Sequence, residues 1–485
     1  MIKKVLNIIF KYKFLFLSML FIVLSFFIYG LNSFHNNIWY DEAYQMVLNR
    51  YTLVEIIDFV RRDTSGPLYA ILLKVATSIF GTDLSVGRML SLAIFSLQFL
   101  IAFYPIRRLY NGKTSIVLSC LLLASSISFF ASIEIRLYSL AITCTLGTIV
   151  YLLLYLRDNK NSDLIKYIIF AICALYSHNY SMVSVCTMVL ISSIYSLYTK
   201  KSKKILIANI ILLILYLPWF IVLLHQYNDV VNKNLFDKPT LLAIKQATTL
   251  LLTTNKYINI IILLLLIISL IISIKKKNEL KSVIYLLIPS LGCLIFLYLW
   301  SLLKTPLFLY KYIAPLSSIL YLIIAKLVCN NKNNIIPLIL IILFIPNFFT
   351  NYENERNLTN DIEIKKIIKF VKQYKEENIA FYQIYEFGFG MSEYYFPNSK
   401  HYLAEHIEMN LKTPELFGEV IKVTDKTEIT EYVIVSLSPR NLGIEAYYQL
   451  IQKGYYPIID YQEYIPYNGG FQVYIFQKNN KKALH

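Results

Sequence analysis

Apolar runs of about 16 to 21 residues recur from the N-terminus to about residue 350 and then stop. A helix of roughly 20 apolar residues crosses ~30 Å of hydrocarbon. The runs predict spans near 14–31, 84–105, 114–132, 137–156, 164–180, 181–198, 205–224, 257–274, 282–300, 310–328 and 335–350, about eleven helices. The stretch 67–80 is also apolar, but it is only about 14 residues long and carries Lys74, so it reads as a helix of the interface rather than a span. Between the first two spans lies a loop, about residues 32–83, too long for a mere connector. Two or three interfacial helices are expected in it, for example over 42–50 and 53–62. Beyond residue 350 the period shortens. The tail 351–485 reads as helix 361–376, strand 379–385, strand 432–437, helix 443–453, strand 456–461 and strand 471–477, a small α/β or α+β domain. The expected fold is thus an α-helical polytopic membrane protein with a folded C-terminal domain.

Composition strengthens this reading. The 485 residues are 57% hydrophobic, more than one soluble core can hide, and the mean hydropathy is +0.54. The formal charge of +17 would point to nucleic acid in a soluble protein, but the excess lies in the membrane half: residues 1–350 hold 32 basic and 12 acidic residues. Basic clusters beside spans follow the positive-inside rule, and no nucleic-acid motif accompanies them. With the N-terminus in the cytoplasm and 67–80 not crossing, Arg107/Arg108/Lys113, Arg157/Lys160, Lys200–Lys204, Lys275–Lys277/Lys281 and Lys332 fall inside. Nine of the twelve acids then fall outside, six of them in the first loop, and the tail is extracytoplasmic. Six cysteines stand singly without ligand spacing, which argues against a metal cluster or disulfide framework. The first run follows Lys3, Lys4, Lys11 and Lys13 but precedes no small-residue cleavage site, and reads as an uncleaved span.

Four places carry candidate chemistry. Asp41-Glu42 follows the first span directly, behind Trp39 and Tyr40. The pair reads either as acids favoured at a helix N-terminus or as a general base at the membrane surface, with Asp41 the residue aimed at the reaction. Ser132-Ile-Glu-Ile-Arg136-Leu-Tyr138 forms a short external turn. Arg136, Lys304 and Lys311 there and nearby are cations that either anchor helix ends or hold a phosphate. Ser177-His178-Asn179-Tyr180 breaks two spans with a polar turn, in which His178 is either solvated or part of a site. Asp63, in the run Arg61-Arg62-Asp63-Thr64-Ser65-Gly66-Pro67, reads as an acceptor or cation ligand or as the cap of the helix that Pro67 begins. The tail's tyrosines, among them Tyr394, Tyr395, Tyr447, Tyr448, Tyr455 and Tyr456, fit sugar stacking or ordinary core packing.

The order of these features resembles glycosyltransferase family 39 of the GT-C superfamily, whose members include protein O-mannosyltransferases and the bacterial lipid A aminoarabinose transferase. The matching stretches are Trp39-Tyr40-Asp41-Glu42-Ala43-Tyr44, Asp63 to Tyr69 running into Leu72-Leu73-Lys74 and Phe80-Gly81, and Val86-Gly87-Arg88-Met89-Leu90-Ser91. Arg136 to Leu140, Ser177 to Tyr180 and Tyr310 to Leu316 complete the set. Together they cover about residues 10–350. The resemblance implies a transmembrane catalytic domain over 1–350, including external loop one at 32–83, and a soluble domain over 351–485. It implies inverting sugar transfer from a polyprenyl-phosphate donor to an acceptor at the extracytoplasmic face. Asp41 would be the counterpart of the catalytic aspartate, with Glu42 beside it. Arg136, Lys311 and Lys304 would face the donor phosphate, and Asp63, Tyr138, His178 and Tyr180 would contact substrate. Two departures stand out: Ser65-Gly66-Pro67 replaces a double proline preceded by His or Lys, and Lys311 stands where Arg is usual. Expected partners are membrane lipid, the lipid-linked donor, and a glycan, glycolipid or protein acceptor. No cofactor beyond the donor is implied, and a divalent cation is neither required nor excluded. The Asn, Ile and Lys content fits an AT-rich bacterial genome and hence undecaprenyl phosphate as carrier. A transporter or flippase of a lipid-linked sugar is the alternative, against which stand the absence of a clear internal repeat and the external position of the acids.

Overall fold

The computed structural model describes residues 2–30, 34, 38, 40–199, 203–233, 238–275, 277–306, 308, 310–330, 334–358, 379–383, 388–397, 400–403, 416, 419–424, 427, 429–430, 432–437, 443–463 and 471–478. They form two compact units. One comprises Met1–Ser33, Thr64–Ala76 and Val86–Glu353, the other Phe34–Asp63, Thr77–Ser85 and Asn354–His485.

The first unit is helical. Among the described residues seven helices are long and apolar enough to cross a membrane: Tyr12–Gly30, Leu84–Leu109, Tyr138–Asp158, Asn179–Thr199, Lys203–Asn228, Lys256–Ile274 and Leu280–Leu303. Shorter apolar helices occupy Leu68–Phe80, Ala314–Cys329 and Ile335–Thr350, and a 15-residue helix covers Asn161–Leu175. Burial runs opposite to that of a soluble protein. The most apolar window, in Lys256–Ile274, has a mean hydropathy of 3.0 and is 17% buried, whereas Tyr138–Asp158, at 1.9, is 83% buried. Lipid therefore solvates the greasiest helix and protein surrounds the more polar one. The chain is a multi-pass membrane protein.

The run 114–132, read from sequence as one straight span, is broken. Gly112–Ala124 and Ser126–Ile133 meet at a 69° bend, and counting that pair as one span gives up to eight. Ser125 makes the corner. Its hydroxyl accepts the Ser128 N–H at 3.3 Å, capping the second helix, and pairs with the buried Tyr321 hydroxyl at 2.5 Å. The helix Leu241–Leu251 was not anticipated, because Lys245, Gln246, Thr248 and Thr249 dilute its hydropathy.

The Tyr138–Asp158 helix has 21 residues, a length of about 31 Å, and its two ends differ in chemistry. At Asp158 the chain enters an ionic cluster. Arg108 bridges the fully buried Asp163 carboxylate and reaches Asp158 at 3.1 Å, while Arg157 donates to the carbonyls of Arg108 and Leu109 at 2.8 and 2.9 Å. Nearby cations lie on aromatic faces: Arg107 over Phe14 at 4.1 Å and Lys326 over Tyr110 at 5.0 Å. Apolar stems buried with the charge at the rim are what a helix end at a membrane surface requires. The Tyr138 end carries the candidate site.

In the second unit the first-loop helices are Tyr40–Leu48 and Leu53–Arg62. The latter opens with a capping box: Thr52 accepts the Glu55 N–H, and the Glu55 carboxylate accepts from Thr52, a hydrogen bond that holds Glu55 below the usual carboxylate range. The tail supplies a six-stranded sheet of order β3-β2-β1-β4-β6-β5. Its strands are β1 Ile379–Gln383, β2 Lys400–Leu403, β3 Glu419–Lys422, β4 Tyr432–Leu437, β5 Tyr455–Glu463 and β6 Phe471–Lys478. β3, β2, β1 and β4 run parallel, and β6 and β5 extend the edge antiparallel. The expected strands at 379–385, 432–437, 456–461 and 471–477 and the helix Gly443–Gln452 are present. β2, β3 and the helix Gly388–Tyr395 were not foreseen, and the expected helix 361–376 lies outside the described residues.

Alternation splits the sheet's two faces. Ala380, Tyr382, Tyr402, Val433 and Leu450 form one core. Phe381 and His401, paired in register, point the other way, and the His401 ring is packed by Phe381 at 5.6 Å and Phe389 at 5.1 Å. Tyr455 belongs to the first core and donates to Thr430 O at 2.7 Å, whereas Tyr448 is exposed. The tyrosines are therefore not one surface.

Burial holds the His401 imidazole below its ordinary value near 6.5, against the opposing pull of Glu393. The unfolded chain takes up this proton before the folded one does, so the contribution is intact above pH 6.5 and is lost as pH falls below it. Thermal unfolding of the purified protein at pH 7.5 and pH 5 should show a loss of stability on acidification that His401→Phe reduces. An equal loss in both proteins contradicts the assignment.

Candidate functional site

A cavity of about 610 Å³ opens where the helices Tyr138–Asp158, Asn179–Thr199, Lys203–Lys233 and Lys277–Leu303 end or begin. Its lining includes the apolar Phe220, Leu223, Leu224, Phe296, Leu297 and Trp300 and the polar or aromatic Thr64, Ser65, Arg136, Tyr138, His178, Asn179, Tyr180, Gln226, Tyr227 and Tyr312. Arg136, Tyr138, His178, Tyr180 and Tyr312 touch one another and make its polar end, while Tyr227 lies against Trp300 at 6.3 Å.

Each polar residue is placed by a local device. His178 stands directly before the helix Asn179–Thr199. Its carbonyl takes the Met182 N–H at 2.9 Å and its Nδ1 accepts the Tyr180 N–H at 3.0 Å, so the imidazole caps the helix that a Ser or Asp would ordinarily cap. With Nδ1 accepting, the neutral ring carries its proton on Nε2. The His178 ring stands edge-on to Tyr180 at 5.7 Å and to Tyr312 at 5.4 Å, with Tyr138 tilted against it at 5.7 Å. Tyr180 and Tyr312 close the group at 5.5 Å. The Arg136 guanidinium lies 5.7 Å over the Tyr138 ring. That arrangement orients the charge while leaving its in-plane donors directional.

The turn carrying Arg136 is itself anchored. Ser91 donates to Glu134 O at 2.7 Å and pairs with Tyr69 at 2.7 Å. Gly87 leaves room for Ile135, whose side chain would lie 2.9 Å from an added Cβ. The segment Thr64–Pro67 is held against the turn at 176–179: Asn179 donates to Thr64 O at 3.0 Å, Gln226 to Ser65 O at 3.4 Å, and Leu68 N–H to Tyr176 O at 3.2 Å. At Gly66 an added Cβ would run into Tyr176 O, so the close approach leaves room for glycine alone.

Of the residues singled out from sequence, the cavity gathers Arg136, Tyr138, His178 and Tyr180. Lys304 is exposed just past the helix end at Leu303 and is not among its lining residues. Lys311 falls in the short 3-10 turn Tyr310–Ile313, its side chain outside the described set, next to the lining residue Tyr312. Asp41, Glu42 and Asp63 belong to the other unit. There Asp41 and Glu42 occupy the first turn of Tyr40–Leu48, Glu42 buried and Asp41 partly so. Asp63 ends the helix Leu53–Arg62, its N–H bonded to Phe59 O and Val60 O; Trp39 lies outside the described residues. Sequence reasoning passed over Gln226, a lining residue 2% exposed, and met Arg88, equally buried, only within a matching stretch. A buried amide or guanidinium on a membrane helix was the available signal.

Residues 64–222 match the family model described as dolichyl-phosphate-mannose-protein mannosyltransferase, a stretch that holds most of the cavity's polar end. No curated protein matches the chain. Two crystal structures share its fold. ArnT from Cupriavidus metallidurans in the apo state aligns over 94% of this chain and 97% of its own, at 11% identity and a TM-score of 0.63. ArnT from Cupriavidus metallidurans bound to undecaprenyl phosphate aligns over the same shares at 10% identity and 0.59.

Replacing Gly66 by Ala should lower the melting temperature of the detergent-purified protein, since neither the Tyr176 carbonyl nor Gly66 can yield without disturbing the loop; overpacking of this kind costs about 1–3 kcal/mol. An unchanged melting temperature would show that the loop gives way. The carbonyl approach at Gly66 and the His178 cap lie within the matched stretch and the cavity within it or beside it: the chain is a multi-pass membrane protein that shares the fold of ArnT, and its residues 64–222 match the dolichyl-phosphate-mannose-protein mannosyltransferase family model.

Proposed function

We propose that the protein moves a sugar from a polyprenyl-phosphate donor, undecaprenyl phosphate in a bacterial membrane, to a glycan, glycolipid or protein acceptor at the extracytoplasmic face. The carrying observation is the cavity, whose lining combines apolar side chains with a cluster in which Arg136, His178 and three tyrosines converge. Isoprenoid carbons suit Phe220, Leu224 and Trp300. The phosphate suits Arg136, a permanent cation with directional donors. The match over residues 64–222 and the ArnT fold support the reading. In this reading the N-terminus is cytoplasmic, residues 1–350 are catalytic and the domain 351–485 is external.

The reaction is a displacement at the sugar's anomeric carbon. Asp41 takes the proton from the acceptor hydroxyl as its oxygen forms the new glycosidic bond. The bond from the anomeric carbon to phosphate oxygen breaks on the opposite face, inverting the configuration. The departing phosphate gains charge, which Arg136, with Lys311 next to the lining residue Tyr312, offsets; the exposed Lys304 is left out of this role. Glu42 supports the base, and Asp63, Tyr138, His178 and Tyr180 hold substrate hydroxyls. The neutral His178 of this geometry offers Nε2–H as a donor.

Transfer of radiolabelled sugar from a panel of synthetic undecaprenyl-phosphate sugars to membrane extract tests the reading. Label should move with wild type and not with Asp41→Asn, while Glu42→Gln loses less; equal residual activity in the two variants would sink the assignment of the base. Donor bound tightly but never transferred by wild type would turn the reading to a transporter. Arg136→Ala should weaken donor binding about tenfold or more, as loss of a hydrogen bond to a charged group does at roughly 1.5–3 kcal/mol, with acceptor affinity little changed. Unchanged donor affinity would remove Arg136 from the phosphate.

A further inference from the structure

The second unit contains a contact that substrate chemistry does not explain. The helix Tyr40–Leu48, with Asp41 in its first turn, packs against the tail helix Gly388–Tyr395. Two residues past its end stands Arg50. Its guanidinium donates to the Glu393 carbonyl at 3.0 Å, the Glu393 carboxylate at 3.2 Å and the Tyr394 carbonyl at 2.9 Å. Both carbonyls lie in the last turn of the tail helix, where partial negative charge gathers and a cation is favoured. Glu393 is 5% exposed, and its other oxygen lies 3.8 Å from His401 Nε2 on strand β2. Arg50 thus joins the first loop to the tail sheet through a buried carboxylate. Surface helix packing has no need of such a fork.

The backbone makes this a lever. Asn49 N–H bonds Gln45 O and Arg50 N–H bonds Val47 O, both at 3.0 Å, so Arg50 continues the helix without a flexible joint. On the same side Asn49 and Thr77 exchange hydrogen bonds of 2.8 and 3.1 Å, and Tyr51 donates to Leu416 O at 3.3 Å. One end of the helix is pinned at three consecutive residues. The other end holds Asp41.

We propose that Arg50 and Glu393 are positioning residues, through which the C-terminal segment fixes the orientation of the helix Tyr40–Leu48 and so aims Asp41. The inference rests on the reading of Asp41 as the base, and it makes the tail part of the transfer machinery. Neither residue touches substrate. Losing the clamp therefore reduces turnover while the donor is still bound.

The test uses the purified full-length protein, the same undecaprenyl-phosphate sugar panel and thermal unfolding. Arg50→Ala and Glu393→Gln should each lower kcat about tenfold, the rate change that ~1.4 kcal/mol of misalignment produces, with donor KM within about twofold. The double variant should lose little more than the worse single one, as expected for one coupled contact. Arg50→Lys should fall between wild type and Arg50→Ala, since an ammonium keeps the charge but not the fork. Should Arg50→Ala fail to fold, Arg50→Lys and Glu393→Gln carry the comparison. Wild-type kcat in both, with Asp41→Asn inactive, overturns the clamp and leaves the base intact. Full activity of Asp41→Asn overturns the base and, with it, the clamp's purpose. Activity falling only in proportion to folded protein assigns the contact to stability alone and overturns the positioning role.

Discussion

An ionised side chain in ~30 Å of hydrocarbon costs several kcal/mol, and that cost organises this molecule. In the membrane unit, at one end of the Tyr138–Asp158 helix, Arg108, Asp158 and Asp163 compensate one another. At the other end stands Arg136, set over the Tyr138 ring in the lining of a cavity. Arg108 pairs with protein carboxylates, and Arg136 lies in the lining of a cavity that a ligand can enter.

The cavity owes its polar end to backbone economy. A break between two spans exposes carbonyls and N–H groups that lipid cannot satisfy. The break at Tyr176–His178 spends them on neighbours: Tyr176 O receives Leu68 N–H, and His178 caps the next helix with its own ring. Satisfying those groups draws the Thr64–Pro67 segment in so closely that residue 66 has no room for a side chain. The resulting wall is rigid because each of its parts answers a hydrogen-bonding need of another. Preorganisation of this kind is what a site that stabilises a departing phosphate requires.

Much of the architecture was legible in the sequence because hydropathy reads lipid exposure directly. The helices Lys256–Ile274 and Leu280–Leu303 announce themselves through apolar side chains that meet solvent lipid. The 69° corner at Ser125 was not legible, since serine is ordinary within apolar helices and its partner Tyr321 lies far along the chain. Short strands such as Lys400–Leu403 carry too few residues to show a period. For the site, the order of short motifs brought Arg136, Tyr138, His178 and Tyr180 to notice, and the fold gathers these four around one cavity. Gln226 and Tyr312 were hidden because one polar or aromatic residue in a long apolar helix, or beside one, is common. Only the Ser65 carbonyl and the His178 ring, brought near from elsewhere in the chain, give them a role.

The proposed Arg50 clamp would answer a difficulty that a base carried on an interfacial helix would face. Such a helix is free to roll in the plane of the headgroups, because apolar burial fixes its depth far better than its rotation. The nine residues of Tyr40–Leu48 offer little packing area to resist that motion. A directional fork onto two helix-terminal carbonyls and a buried carboxylate resists rotation, which nonspecific burial does not. The guanidinium suits the task through its planarity and fixed donor spacing. On the proposed reading, the folded C-terminal segment acquires a mechanical reason to be part of the chain.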